Sequence, residues 1–136
     1  MITVVADSNV FISALVFGGR PRRILELAEA GTFSLVVCPH LRDEVEEVLI
    51  RKFGWPPGYA RIACQPLWAI SHQVRPKVHV KVAVDPDDDR ILECAIEAQA
   101  DIIVTGDRDL LRLGTFRSVA IMTPAAFLQR QPWHNQ

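Results

Sequence analysis

The chain has 136 residues, of which 49% are hydrophobic and 23% are charged, and its formal net charge is −1. This length fits one globular domain with a proper core, and the small net charge excludes bulk attraction to a nucleic acid or a membrane surface. A polyanionic partner would therefore need a local basic patch or a metal ion.

The three cysteines, Cys38, Cys64 and Cys94, show no C-x-x-C spacing and lie among apolar neighbours. This pattern predicts small buried hydrophobic residues and suits the reducing cytoplasm. No apolar run approaches the ~20 residues that span a bilayer, and the N-terminus lacks the basic region of a signal peptide. We therefore expect a cytoplasmic protein with no membrane partner.

The first half of the chain alternates buried strands with helices. Residues 2–6 and 33–38 are short, mostly branched apolar runs, which predict fully buried strands. Residues 10–16 form an apolar segment of helical length that glycines stop, and a second helix follows over residues 20–30 with a proline near its first turn. Residues 40–52 carry apolar side chains at helical spacing, which predicts a third helix.

The second half continues the alternation. Residues 59–73 predict a helix broken at Pro66, and valines at every second position of residues 78–84 predict a half-buried or edge strand. The remaining predicted elements are a helix opening at residues 85–89, a buried strand at 102–104, a short helix at 110–113, a strand at 119–122 and a closing helix capped at 123–124. This order predicts a three-layer α/β/α sandwich with a mostly parallel central sheet of about four to five strands. We expect one domain over residues 1–130 and a flexible tail over residues 131–136.

Carboxylates follow the ends of two predicted buried strands from opposite ends of the chain. Asp7 follows the first strand, and Asp107 and Asp109 follow the strand at residues 102–104. Ligand sites of open α/β sheets lie at the carboxyl edge, so these acids are candidates for one site. Glu44, at the margin of the apolar face of its helix, is the acid of that helix best placed to join them.

Residues 85–89 hold four acids, which is more than the N-terminus of a helix needs for capping. Spacing alone leaves open whether Asp87, Asp88 or Asp89 joins the site. Taken singly, each acid is better explained as a helix cap or a surface residue than as a metal ligand. Taken together, converging carboxylates would repel one another unless a hard divalent cation lay between them. An all-oxygen site without His or Cys favours Mg²⁺ or Mn²⁺, which can activate water and clamp phosphate oxygens.

These motifs, in this order and at this spacing, resemble the PIN-domain ribonucleases, in particular the toxin components of bacterial toxin–antitoxin pairs. The resemblance covers essentially the whole chain. The matching points are Asp7 and Asn9 after the opening strand, the helix that carries Glu44, residues 85–92, and residues 104–111. Each point alone is weak, whereas all four together are fairly specific.

The resemblance implies a catalytic acidic quartet that holds Mg²⁺ or Mn²⁺: Asp7, Glu44, Asp88 and Asp107. Asp88 is preferred within its cluster because it lies three residues before Ile91, as in the family's pattern. Asp109 would be an additional metal ligand, and Asn9 and Thr105 would be supporting groups that orient the carboxylates. The family also implies hydrolysis of single-stranded RNA by metal-activated water, a homodimer or higher homo-oligomer, and inhibition by a small antitoxin protein.

Three arginines, Arg20, Arg22 and Arg23, lie where a helix begins and oppose its dipole. They form either a solvated turn or a patch that contacts RNA phosphates.

Two other functions stay open. The stretch Asp7-Ser8-Asn9 resembles the D-x-D nucleophile motif of haloacid-dehalogenase-type phosphatases, although Asn9 replaces the second acid. Alternatively, a non-catalytic protein could use the same acids to bind metal while it binds RNA or an antitoxin. DNA flap nucleases share the general fold and chemistry, but this sequence lacks an added segment for clamping duplex DNA.

Overall fold

The computed structural model describes residues 1–134, in which strands and helices alternate along the chain. The strands are β1 (Thr3–Ala6), β2 (Ser34–Val37), β3 (His72–Gln73), β4 (Ile102–Val104), β5 (Thr115–Phe116) and β6 (Val119–Met122). The helices are α1 (Ser8–Val16), α2 (Gly19–Glu29), α3 (Pro39–Arg51), α4 (Pro57–Ala69), α5 (Pro86–Ala98), α6 (Arg108–Leu113) and α7 (Pro124–Arg130), and a 3-10 helix at Pro132–His134 follows them.

The six strands form one sheet in the order β3-β2-β1-β4-β6-β5. All neighbouring strands are parallel except β5 and β6. Successive residues of β1, Val4, Val5 and Ala6, are fully buried, so both faces of the sheet are covered. The predicted α/β sandwich is confirmed. The sheet has six strands rather than four to five because the two-residue strands β3 and β5 join its edges.

Aromatic side chains tie outer elements to the core. Phe11 packs edge-on against Trp68, with ring centroids 5.3 Å apart. Phe33 packs edge-on against Phe127, and the ring of Trp133 lies 5.1 Å from that of Phe127. Trp133 lies in the segment that was expected to form a flexible tail, and its contact with Phe127 ties this residue to the domain. Residues 135–136 of the expected tail lie outside the described residues.

Several helices begin at residues suited to that position. Asp7 and Thr123 each accept, through the side chain, the amide three residues later at the starts of α1 and α7. Pro39 and Pro86 lie in the first turns of α3 and α5, where a missing N–H costs nothing. None of the helices within residues 1–134 combines the length and apolar character needed to cross a membrane.

The prediction that Pro66 breaks its helix is wrong, because α4 continues through this residue to Ala69. Proline removes the hydrogen bond to the carbonyl four residues earlier, which belongs to Ile62. Ile62 is exposed, so water can satisfy that carbonyl. The helix ends earlier than predicted, and His72 and Gln73 form β3 instead.

The predicted strand over residues 78–84 is also wrong, since this segment has no regular secondary structure and pairs with no described strand. Among its alternating valines only Val80 is buried, at 4% exposure, whereas Val82 and Val84 face solvent. Carboxylates on one face of α5 satisfy its amides in place of a neighbouring strand. Glu97 accepts from Lys77, Glu93 from Val80, and Asp89 from both Val82 and Ala83, at 2.8–3.0 Å.

Candidate metal centre

The centre of the sheet brings two acid-bearing strand ends together. β1 pairs with β2 on one side and with β4 on the other, so the chain changes direction across the sheet at this point and leaves a crevice. Ala6 is in register with Val104, and the amide of Asp7 donates to the carbonyl of Val104 at 3.1 Å. Asp7 therefore lies beside Thr105, which precedes Asp107 by two residues. Both acids thus follow neighbouring strands at the carboxyl edge of the sheet, where the sequence predicted them.

Asp7 is the most enclosed carboxylate of the site, with 5% of its surface exposed. Its Oδ1 accepts the amide of Val10 at 3.1 Å, and its Oδ2 accepts a hydrogen bond from the hydroxyl of Thr105. Burial raises the pKa of Asp7 to about 6, and the charge of Asp107 adds to the rise, although the hydrogen bonds from Thr105 and Val10 oppose it. The side chain is therefore held in a fixed orientation but is costly to ionise.

Thr105 links Asp7 to the second acid. The same hydroxyl that donates to Asp7 accepts the amide of Asp107 at 3.0 Å. Asp107 in turn begins α6, where its Oδ1 accepts the amides of Asp109 and Leu110 at 2.8 and 3.1 Å. The supporting role predicted for Thr105 thus has a geometric basis, because one buried hydroxyl bonds the carboxylate of Asp7 and the backbone amide of Asp107.

Glu44 reaches the same place from α3, with its side chain 25% exposed. Its Oε1 accepts a hydrogen bond from the hydroxyl of Ser8, the residue after Asp7. Burial raises the pKa of Glu44 above its usual value, and the nearby charge of Asp87 adds to the effect, against the hydrogen bond from Ser8. Glu44 therefore lies at the margin of its helix's apolar face and points into the site, as predicted.

The four acids at the start of α5 differ in burial and in hydrogen-bond partners. Asp85 accepts the amide of Asp87 and begins the helix, and Asp89 accepts the amides of Val82 and Ala83. Asp87 is exposed and its Oδ1 lies 3.1 Å from Nε2 of His40. Asp88 is buried at 8% exposure, and its Oδ2 has no hydrogen-bond partner among the described residues. Geometry therefore favours Asp88, the residue that the family pattern preferred.

One cavity of about 290 Å³ contains the acidic quartet. Its lining includes Asp7, Asn9, Glu44, Asp88 and Asp107, together with the exposed Asp85 and Asp87. Asp109 lies outside this lining, and its exposed side chain pairs with Arg112 at 2.9 Å. One carboxylate oxygen each of Asp88, Asp107 and Asp109 nevertheless lies within 4.8 Å of the others. All the acids predicted from the sequence therefore belong to one neighbourhood.

The electrostatics of this cavity favour a bound cation. The pKa of Asp88 is raised to about 7 by burial and then by the negative charges of Asp107, Asp85, Asp7 and Asp109. A buried carboxylate oxygen without a partner is a costly feature that a ligand would relieve. An all-carboxylate donor set suits a hard divalent ion, and Asp88, Asp107 and Asp109 lie close enough together to hold one. Glu44 instead groups with His40 and Asp87, while Asp7 and Glu44 share the cavity with Asp88 and Asp107.

Three residues at the cavity or beside it were not predicted as site residues: Ser8, Arg51 and His40. Ser8 holds Glu44, and a polar residue directly after a strand-end acid is the signal that could have indicated it. His40 lies one turn before Glu44 and hydrogen-bonds Asp87 at the rim, so its i, i+4 spacing was readable. Arg51 lines the cavity, and its Nε lies 3.5 Å from Oε1 of Glu47. Nothing in the local sequence distinguishes it from an ordinary surface arginine.

The three arginines proposed to contact RNA lie elsewhere. Arg20, Arg22 and Arg23 are exposed at the start of α2, and none of them lines the acidic cavity. Asp7 and this turn lie at opposite ends of α1, whose nine residues span about 13 Å. Any contact with a substrate would therefore involve a part of it well beyond the cavity.

A match over most of the chain identifies the family. Residues 3–109 match the family model described as the PIN domain. An uncharacterized protein of the archaeon Methanocaldococcus jannaschii is 32% identical over 117 residues, which cover 82% of this chain and 75% of the relative. The chain belongs to the PIN-domain family. Its fold is of the nuclease type, members are in general metal-dependent nucleases, and the acidic cluster described above could bind the metal.

Proposed function

We propose that this protein is a Mg²⁺- or Mn²⁺-dependent endoribonuclease that cuts single-stranded RNA. Asp88 carries the proposal: it is a buried carboxylate with an unpartnered oxygen, grouped with Asp107 and Asp109 and sharing a cavity with Asp7 and Glu44. Such an arrangement costs free energy without a cation and is ready to accept one. When bound there, a divalent ion would lower the pKa of a water molecule and neutralise charge on phosphate oxygens.

Neighbouring side chains of the protein would hold the proposed metal ligands in fixed positions. Thr105 would hold the carboxylate of Asp7 and the backbone of Asp107 at a fixed separation, because its hydroxyl donates to Asp7 and accepts the amide of Asp107. Ser8 would fix Glu44, since its hydroxyl donates to that carboxylate. Rigid carboxylates keep the reacting groups aligned and so lower the entropic part of the barrier. Asn9, exposed at the cavity edge, is placed to contact substrate or to support the ligands.

The biological setting is proposed from the family resemblance. In that setting the protein is the toxin of a toxin–antitoxin pair in the cytoplasm, acts as a homodimer or higher homo-oligomer, and is inhibited by a small antitoxin protein. RNA is preferred to duplex DNA because residues 1–134 contain no inserted segment that could clamp a duplex.

The decisive experiment follows cleavage of a labelled, mixed-sequence single-stranded RNA with Mg²⁺, with Mn²⁺ and with EDTA. We expect metal-dependent cutting that Asp7→Asn and Glu44→Gln each abolish, since each variant removes a proposed ligand. Asp43→Asn is the matched control for Glu44→Gln: it neutralises an exposed acid one residue away on α3 that does not line the cavity. An active Asp7→Asn enzyme would refute the assignment.

Two results would select the alternatives. Release of phosphate from a small phosphomonoester, with RNA left intact, would indicate a phosphatase. Metal-independent binding of RNA or of an antitoxin, with no cleavage under any metal, would indicate a non-catalytic binding protein.

A further inference from the structure

Two phenylalanine rings meet on the surface where α1 and α3 end. Phe17 directly follows α1, and Phe53 lies two residues after α3. Their rings contact edge-on, with centroids 6.1 Å apart and planes inclined at 76°. Phe17 nevertheless leaves 75% of its surface exposed, more than any other aromatic residue within residues 1–134. A single exposed apolar side chain is ordinary on a protein surface, so the case for a ligand depends on what surrounds this ring.

Basic side chains lie beside Phe17 and Phe53, which are called the aromatic platform below. Nζ of Lys52 is 5.8 Å from the ring centroid of Phe53, and Lys52 forms no ion pair within residues 1–134. Arg51 comes immediately before Lys52 and lines the acidic cavity. Its partner Glu47 is exposed, so water screens their attraction and leaves the guanidinium available to an anion.

The aromatic platform is continuous with the acidic cavity. Ser8 bonds Glu44 at one end of the contact between α1 and α3, and Phe17 meets Phe53 nine residues further along each segment. The two helices therefore run side by side in the same direction, and the platform lies about 13 Å from the metal centre. One face of α3 lines the cavity along this path, through residues at helical spacing: Glu44, Glu47, Val48 and Arg51. The distance corresponds to about four nucleotides of a stacked strand, at roughly 3.4 Å for each.

This surface fits a single-stranded nucleic acid better than it fits another protein. A single strand presents flat bases with a phosphate beside each one, and bases of any sequence stack on aromatic side chains. An exposed ring with a cation beside it matches both parts of that repeat. The centres of protein interfaces are instead depleted of lysine, whereas Lys52 lies over the ring of Phe53.

We propose that the aromatic platform stacks the bases of single-stranded RNA, while Lys52 and Arg51 contact the phosphates between the platform and the acidic cavity. The identity of the ligand rests on the proposed function, since a ribonuclease must hold the strand beside the bond that it cuts. Stacking on Phe17 would fix the strand about four nucleotides from that bond and keep it aligned with the metal centre. RNA with an unpaired base at this position would therefore be the preferred substrate.

The test measures binding of a labelled single-stranded RNA by fluorescence anisotropy in Mg²⁺, in an Asp107→Asn background that prevents cleavage. We expect Phe17→Ala to weaken binding by about tenfold without changing its salt dependence, because a stacked base is lost but no charge is removed. Lys52→Ala should instead lower the salt slope by about 0.7. Phe17→Leu should bind as weakly as Phe17→Ala, because leucine has no aromatic face, whereas Phe17→Trp should bind at least as tightly as the parent. Phe17 is largely exposed, so all three of its variants should fold.

Phe116 provides the matched control. It is half-buried on β5 at the edge of the sheet, and Cζ of Arg117 lies 5.3 Å from the centroid of its ring. Phe116→Ala removes a ring beside a cation that does not line the acidic cavity, and it should leave RNA affinity unchanged. 2-Aminopurine at successive positions of the RNA then locates the stacked base, since stacking quenches its fluorescence. We expect the strongest quenching about four nucleotides from the cleaved bond, and its loss in Phe17→Ala.

Several outcomes would overturn the platform: equal affinity of Phe17→Ala and its parent, or a Phe17→Leu variant that binds as tightly as the parent. Self-association that Phe17→Ala abolishes, with RNA affinity unchanged, would also overturn it and assign the surface to a second copy of the chain. The proposed nuclease fails separately, because Phe17-dependent stacking without cleavage in Mg²⁺ or Mn²⁺ would contradict the nuclease alone. Cleavage with equal affinity in Phe17→Ala would contradict the platform alone, and a complete absence of RNA binding would contradict both.

Discussion

Asp88 and Asp89 are neighbours on the first turn of α5, and their side chains have opposite surroundings. Asp89 accepts two amides at 3.0 and 2.8 Å, whereas one oxygen of Asp88 has no partner among the described residues and faces other acids. The two acids are equally buried, at 8% and 5% exposure. Their substitutions to asparagine are therefore a matched pair that separates a binding role from a structural one.

We expect Asp88→Asn to raise the free energy of unfolding of metal-free protein at pH 8 by about 2 kcal/mol, because it removes repulsion that contributes to a raised pKa. Asp89→Asn should lower it by about 1–3 kcal/mol, because a buried acceptor of two amides is weakened. Urea unfolding in EDTA measures both. Calorimetric titration with Mn²⁺ should show lost binding for Asp88→Asn and retained binding for Asp89→Asn. The same sign of stability change in both variants would contradict this division.

The raised pKa values predict how metal-free stability depends on pH. A carboxyl group whose pKa is higher in the folded state stabilises the fold while it is protonated and loses that contribution as pH rises through the folded value. For Asp7 the window runs from its ordinary value of 3.8 to about 6, and for Asp88 it extends to about 7. Glu93 has the opposite effect on stability, since the hydrogen bond from Arg90 lowers its pKa. Its contribution to the free energy of unfolding is lost only as pH falls through that lowered pKa.

We therefore expect the free energy of unfolding in EDTA to fall as pH rises from about 5 to about 7, with Asp7 alone accounting for about 1–2 kcal/mol. Asp7→Asn should flatten this dependence, and saturating Mn²⁺ should reduce it because the cation stabilises the ionised carboxylates. Denaturant unfolding across this range measures the slope. A metal-free stability that increases over this interval would contradict the raised pKa values.

At the scale of the element, α5 contributes Asp88 to the site and also holds the irregular segment over residues 77–83 that precedes it. Asp89, Glu93 and Glu97 recur every four residues and accept four amides from within residues 77–83 along one helix face. Glu93 also pairs with Arg90 at 2.6 Å and is 5% exposed. This face positions the chain that leads directly into Asp85, Asp87 and Asp88.

We expect Glu93→Ala to lower the free energy of unfolding by about 2–4 kcal/mol, because it leaves the amide of Val80 and the guanidinium of Arg90 without their buried partner. Hydrogen exchange should accelerate first at Val80 and its neighbours. Glu46→Ala, which removes a glutamate on α3 that does not line the acidic cavity, is the control and should leave exchange at Val80 unchanged. Equal protection of Val80 in Glu93→Ala and wild type would argue against the role assigned to this face.

The elements also show which features the sequence could predict. Buried strands and the acids after them were readable because a short apolar run followed by Asp has one favourable placement, at the carboxyl edge of a parallel sheet. The segment over residues 78–84 was not readable, because alternation predicts an extended chain without identifying what satisfies its amides. Its partners are side chains on α5, and their contribution depends on tertiary packing. The same limit hid Ser8 and Arg51, whose positions at the cavity depend on how α1 and α3 pack.

At the scale of the whole molecule, a chain of net charge −1 must bind a polyanion through local features. A cation in the acidic cavity would supply one such feature. Arg51 at the cavity wall and the exposed group Arg20, Arg22 and Arg23 are the other candidates, and they differ in distance from the metal centre. The salt dependence of RNA binding separates them, since each neutralised phosphate contributes about 0.7 to the slope for a single strand.

We expect Arg51→Ala to reduce that slope by about 0.7 and to weaken binding of even a short oligonucleotide, because Arg51 lines the cavity in which the metal is proposed to bind. Replacing Arg20, Arg22 and Arg23 by alanine should reduce the slope by up to about 2, but only for an RNA long enough to reach the turn before α2. Fluorescence anisotropy in Mg²⁺, in an Asp107→Asn background to prevent cleavage, measures both. If the triple variant kept the full slope with long RNA, the turn would be a solvated helix start and Arg51 the principal phosphate contact.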